Sequence, residues 1–366
     1  MSEPAKTEEK PRSTAEVDFT KYKTAADIVN NVIKKLVDLS VEGAKVLDIC
    51  IEGDKLIEEG TAAVYNKAVK GVKVPKAQTL AKGDVVKLHL GAHIDGFAAV
   101  SAETLVVGAT PENPVTGRQA DVIQAAWHAA EAAMRLVKVG GKNWDVTNAV
   151  AKITSTWECK PVEGMLSCQQ SQNVIDGKKR IILNPSEAQK KEFETVTFAE
   201  GEVYGIDILV SSGEDGKARL EESRTTIYQK DSTVTYQLKM KTSRAVFHEV
   251  QKKAGAFPFN LRCLEDEKRA RLGLQEAVQH GLVKPYEVIY TPNNTFVAAF
   301  HFTIALLPAG PALITHPPVW YKPELVKSDK KLEDPELEEL LVKKLREDKK
   351  KAKKAKKDNE EPESKE

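Results

Sequence analysis

Cysteine is scarce in this chain and scattered: four residues in 366, Cys50, Cys159, Cys168 and Cys263, with no CxxC pair. That pattern excludes a disulfide framework and fits a reducing compartment. Long apolar runs are missing too, none approaching the length that crosses a bilayer. The polar opening MSEPAKTEEKPRS lacks the apolar stretch of a signal peptide, so a soluble intracellular protein is expected. A charge of one sign is also lacking: the formal net charge is +1, and the overall balance attracts no polyanion. Both ends, however, are charge-dense where the middle is not.

What the chain does have is 41% hydrophobic residues, enough for one large core or two fused half-domains. Residues 1–19 are polar and contain proline, which predicts a disordered leader. Thr24 is placed to cap a helix carrying Ala25, Ile28, Val29, Val32, Ile33 and Leu36 at helical spacing. A second helix begins near Glu42, and Lys67–Lys82 is basic without a clear pattern. Arg118–Val139 is the clearest helix, stopped by Gly140-Gly141, and Asp145–Trp157 reads as another. Pro161–Gln172 is expected to be a loop whose polar side chains line a cavity. Tyr286–Tyr290 and Thr295–Leu307 read as strands, the second a buried one, and Pro308–Pro323 as irregular. Asp334-Pro335 starts a last helix with Leu337, Leu340, Leu341 and Leu345 as its stripe.

The stretch that organises the rest is Gly83–Gly108. Val85–Leu90 alternates inside and outside, the chain turns at Asp95-Gly96, and Phe97–Val107 runs back, which reads as a hairpin. Its first strand has a second copy at Gly201–Leu209: Gly83-Asp84-Val85 matches Gly201-Glu202-Val203, Leu88 matches Ile206, and His89 falls on Asp207. Such a repeat predicts two related halves facing each other, each offering one polar side chain at the same depth.

The order of elements closely resembles the pita-bread fold of type 2 methionine aminopeptidases, an α/β (α+β) fold of two pseudo-symmetric halves. A set of phrases resembles a narrower branch: KYKTAADIVN, GDVVKLHLGAHIDGF, VTGRQADVIQAA, PVEGMLS, VIDGKKRIILNP, EVYGIDILVSSGE, RTTIY, LKMKTSRAVFHEV and the Lys-rich tail. That branch is the proliferation-associated protein family, which includes an ErbB-receptor-binding protein and a fungal curved-DNA-binding protein. The resemblance covers roughly Lys21 to Lys357. It implies a main domain over 20–334, a helical insert at about 239–285, and a C-terminal helix with a charged tail over 335–366. The sequence departs from the family between Gly71-Val72-Lys73-Val74-Pro75 and Thr79, where a loop and strand that would wall the cavity are missing.

Carried over position by position, the resemblance implies that the two-metal site of the aminopeptidases is degenerate here. The two Asp positions fall on His89 and Val100, the His on Cys168, and the two Glu positions on Asp207 and His301. Carboxylates bridge two cations and leave a bound hydroxide as nucleophile, and one carboxylate cannot neutralise four positive charges. No catalytic residue and no cofactor are therefore expected. Two alternatives stand beside this: a single zinc on His89, Cys168, Asp207 and His301, or Cys168 as a thiol nucleophile with His89 or His301. His93 reads as a hairpin residue beside the turn.

Two basic features stand outside the core pattern. The tail carries Lys343, Lys344, Arg346, Lys349, Lys350, Lys351, Lys353, Lys354, Lys356 and Lys357 against only Glu347 and Asp348. Such a run is drawn to nucleic-acid phosphate by counterion release and also serves as a nuclear or nucleolar address; alternatively it only solubilises. The insert carries Lys239, Lys241, Arg244, Lys252, Lys253, Arg262, Lys268, Arg269 and Arg271. Arg244 and the N–H groups at the start of a helix there favour phosphate. Glu265, Asp266 and Glu267 could instead pair with these charges on the helix surface. The resemblance implies a monomeric, non-catalytic protein of cytoplasm and nucleolus that binds the large ribosomal subunit and RNA, with no membrane insertion. DNA and regulatory proteins are further expected partners; a DNA-binding transcriptional regulator or a residual aminopeptidase are the alternatives.

Overall fold

The computed structural model describes residues 18–65, 78–220, 225–292, 294–315 and 318–345. The first half opens with helices α1 (Phe19–Leu39) and α2 (Val46–Tyr65), followed by strands β1 (Val85–Ile94) and β2 (Phe97–Val106). The second opens alike, with α3 (Gly117–Leu136) and α4 (Asn143–Thr156). Short strands β3 (Lys160–Pro161), β4 (Leu166–Gln170) and β5 (Arg180–Ile182) and helix α5 (Glu187–Glu192) lead to β6 (Val203–Ser211). An insert follows: β7 (Arg219–Leu220), β8 (Ile227–Lys230), α6 (Lys241–Lys253), β9 (Pro258–Asn260), α7 (Glu267–Gln279), β10 (Val283–Pro285) and β11 (Ile289–Tyr290). The chain then returns through β12 (Val297–Leu307) and β13 (Gly310–Leu313) to α8 (Pro335–Val342).

Local chemistry sets the boundaries, with some departures from expectation. Asp18, not Thr24, caps α1: its carboxylate accepts from the Lys21 N–H at 3.2 Å. Thr24 lies one turn inside, its hydroxyl donating to the Thr20 carbonyl at 2.9 Å. The hairpin turns where expected, with Asp95 (φ 50°) and Gly96 (φ 85°) both left-handed, as a two-residue turn matched to strand twist requires. Asp334 caps α8 through the Glu336 and Leu337 N–H groups, with Pro335 at the first position. Pro161–Gln172 is not a loop but contains β4, hydrogen-bonded to β6. The irregular stretch after Leu307 contains β13. The insert is not wholly helical, because β10, β8 and β9 form a three-stranded sheet beside its helices.

The main sheet runs β1-β2-β12-β6-β4-β5. In it the repeated strands β1 and β6 flank the inner pair β2 and β12, so a pseudo-two-fold passes between the inner strands. One register line crosses all four: His89 pairs with Ala102, Ala102 with His301, and His301 with Asp207. The seam between β2 and β12 is bridged by side chains. The Thr104 hydroxyl accepts from the Ala299 N–H (2.7 Å) and donates to the Ala299 carbonyl (3.0 Å). The Thr303 hydroxyl does the same with the N–H (2.9 Å) and carbonyl (3.2 Å) of Val100. Both threonines lie two residues after the paired Ala102 and His301, and their partners two residues before, so the two bridges are related by the pseudo-two-fold.

One face of the sheet is covered by helices. Leu88, Leu90 and Leu105 pack with α1 and α2, and Ile206, Ile208, Phe300 and Phe302 pack with α3 and α4. Alternation sends His89, His301 and Asp207 to the opposite, concave face. The insert has its own core around Val246, Val250, Phe259, Leu264 and Leu274. The segment between Val74 and Thr79, the leader and the Lys-rich tail lie wholly or mostly outside the described residues.

Candidate functional site

The concave face brings three of the five carried-over positions onto one line. His301 Nδ1 stands 3.7 Å from Asp207 Oδ1, beyond hydrogen-bond reach, and the His89 and His301 ring centroids are 5.3 Å apart. Gly205 makes room for this packing, since a Cβ there would meet His301 Nε2 at 3.0 Å and the Gln170 amide. Both ring nitrogens of His301 are buried without a hydrogen-bond partner among the described residues. The Ser167 hydroxyl accepts from the Asp207 N–H at 2.9 Å and fixes the backbone.

Electrostatics separate the members of the row. Burial pushes the Asp207 carboxyl up, but His301 and His89 outweigh it and hold the group below its ordinary range. Loss of hydration, and secondarily His301, push His89 down to about 4 against the pull of Asp207, although part of the side chain is open to solvent. His89 is therefore a neutral imidazole at physiological pH.

Cys168 and Val100 stand apart from this line. Cys168 pairs with Gly205, and burial pushes its thiol up to about 11, with Arg180 opposing. A thiol held protonated is a poor nucleophile, which counts against Cys168 as an activated cysteine. Val100 is aliphatic, and its backbone N–H and carbonyl are both taken by Thr303. Among the described residues no group of three or more His, Cys, Asp or Glu is arranged to hold a metal ion, so the four-ligand zinc set does not assemble.

In the insert, α6, α7 and the residue before the α6 cap present Lys239, Lys241, Lys252, Lys268 and Arg269 exposed, and none forms an ion pair among the described residues. Other cations of the expected set are used internally. Lys253 pairs with Glu249 (2.8 Å) and Arg271 with Glu267 (2.5 Å). Arg244 donates to the carbonyls of Leu238 (3.1 Å) and Lys239 (2.6 Å). Just before α6, the N–H groups of Lys239 and of Met240, the first residue of the stretch expected to favour a phosphate, are held by the Glu276 carboxylate at 2.6 and 3.1 Å. Asp266, expected as a surface pairing partner, caps α7 through the Lys268 and Arg269 N–H groups. Lys349, Lys350, Lys351, Lys353, Lys354, Lys356 and Lys357 lie outside the described residues.

Sequence reasoning missed Glu276 and also Asp54. Asp54, in α2, accepts from Asn260 Nδ2 (3.3 Å) and Arg262 Nε (2.9 Å) of the insert. Each is a long-range pairing that no local pattern announces.

Comparison with known proteins places this geometry. The model of metallopeptidase family M24 matches residues 20–223. The "Curved DNA-binding protein" of Schizosaccharomyces pombe is 46% identical, over 93% of this chain and 94% of that protein. "ERBB-3 BINDING PROTEIN 1" of Arabidopsis thaliana is 43% identical, over 88% of this chain and 85% of its own length. The solved structure of a thermophilic Arx1 superposes with a TM-score of 0.81 at 32% identity, covering 92% of this chain and all of that one (100%).

Proposed function

The chain belongs to metallopeptidase family M24 and has the pita-bread fold, and from that premise we propose that it is a non-catalytic member that binds a partner instead of cleaving a peptide. The register row carries this reading. Two divalent cations bring four positive charges, and the only carboxylate at the carried-over positions is Asp207. Val100 offers no donor atom, and Cys168 is one step off the row with its thiol protonated. The residues do not fit the family's metal centre.

The binding activity belongs to the insert and the tail, with the large ribosomal subunit and its RNA as partners. The unpaired Lys239, Lys241, Lys252, Lys268 and Arg269 supply one cationic surface and the run Lys349–Lys357 another. Such contacts serve ribosome biogenesis, translation or growth control, in cytoplasm and in nucleus or nucleolus. The likeness to the proliferation-associated family supports the ribosomal partner. The name of the fission-yeast relative favours a second reading, a regulator that binds DNA. No described helix is long and apolar enough to cross a membrane.

The test is co-sedimentation with purified large subunits at physiological salt. It compares the full chain, a chain ending at Asp334, and the triple variant Lys239→Glu, Lys241→Glu, Lys252→Glu. Loss of about tenfold or more in each altered chain is expected from the phosphate contacts removed. Full binding by both would sink the assignment, and preference for a bent duplex over ribosomal RNA at equal salt would move it to DNA. Turnover of a methionyl peptide with added divalent metal would overturn the non-catalytic reading.

A further inference from the structure

The insert leaves the main sheet after Ser211 and returns at Val297, residues paired with each other at one end of β6 and β12. Because β1 and β12 run in the same direction, this is the end at which β1 begins, at Val85. The insert meets the first half at the other end. Phe257 stacks on His93, ring centroids 4.3 Å apart and 22° from parallel, next to the Asp95-Gly96 turn. His93 shares the concave face with His89. Just beyond, Asn260 and Arg262 hold Asp54 of α2. The insert therefore reaches from the β6 and β12 end of the sheet to the opposite end of β1, a strand of roughly 30 Å at strand rise. Within the insert, the Tyr286 hydroxyl donates to Gln229 Oε1 at 2.7 Å, tying β10 to β8.

We infer that the insert is a strap across the concave face, clasped to the first half at His93 and Asp54, and that this clasp limits how far the two halves part along the threonine seam. Along the seam itself β2 and β12 share one register pair and two hydroxyl bridges, where β1 and β2 share ten pairs, and the clasp stands beside the bonds that Gln172 and Asn173 make to the Asp95 and Gly96 carbonyls. The clasp suits release because it is half-open to water: the Arg262 and Asp54 side chains are 26% and 35% exposed. The chain order gives the strap its leverage, since it is covalently part of the second half and grips the first. This rests on contacts within the protein and stands whether or not the insert binds RNA.

Cys168 reports the opening, because it lies half-buried on the concave face of the sheet. Cys159, fully buried in the core beneath the helices, is the control. The experiment measures maleimide modification of each cysteine by peptide mass spectrometry in the full chain, in Asp54→Ala and in His93→Ala. Losing the charged pair is expected to raise the Cys168 rate roughly tenfold, with a smaller rise for His93→Ala and no change at Cys159. Unchanged Cys168 rates in both variants, with native circular dichroism, would overturn the strap. So would an equal rise at Cys159, which signals general loosening. Exposed His93 bears substitution if Asp54→Ala fails to fold.

Discussion

Thr104 in the first half and Thr303 in the second occupy equivalent positions and make the same two bonds. Two residues earlier in each strand the halves part company, with Ala102 in one and His301 in the other. The outer strands differ too, His89 facing outward where its counterpart is Asp207. The likeness lies where buried backbone groups must be satisfied, a requirement the fold imposes on both halves. The differences lie on the face that no core packing dictates. A two-metal centre would have required carboxylates from both halves; only the second supplies one.

The comparison is open to attack at its strongest point first. Thr104→Val or Thr303→Val leaves a buried N–H and a carbonyl without the hydroxyl, and each should cost about 2–4 kcal/mol in denaturant unfolding. Equal losses would confirm that the seam is symmetric in energy as well as in geometry, and losses differing by more than half would break it. A smaller effect comes from a position where the halves differ. Glu103, whose counterpart is Phe302, is 1% exposed; it accepts from the Val319 and Trp320 N–H groups. Burial pushes its carboxyl up to about 7, the two N–H bonds opposing. A carboxyl raised on folding favours the native state below its unfolded pKa, and that advantage is lost as pH rises from about 4.3 to about 7. Glu103→Gln should remove this slope and be the more stable protein at pH 8, by about 1–3 kcal/mol. A parallel pH profile for variant and parent would refute it. The smallest effect is on His89, an imidazole pushed down to about 4. NMR should find it neutral until pH falls well below 6, with stability slipping as pH drops from about 6.5 toward 4. A midpoint near 6.5 would mean that the row is wetter than its packing suggests.

Much of this is legible in the amino-acid sequence. The glycine-anchored repeat put His89 and Asp207 at the same depth, and the register line joins them through Ala102 and His301. The Asp95-Gly96 turn and α3 carry their signals in adjacent residues. β4 escaped notice because Leu166–Gln170 is short and largely polar, and only pairing with β6 makes it a strand. Glu276 lies 36 residues from Met240, whose N–H it takes, so that bond could not be read from the chain around Arg244. The clasp at Asp54 spans more than 200 residues for the same reason.

Where the chain leaves the described region has a mechanical consequence. Leu345 packs with the core beneath the helices, and Arg135 of α3 bonds the Lys343 carbonyl at 2.9 Å. The tail is thus launched from the helical side of the sheet, while the insert lies along the other. The two basic segments therefore have their roots on opposite sides of the sheet, with its full thickness between them.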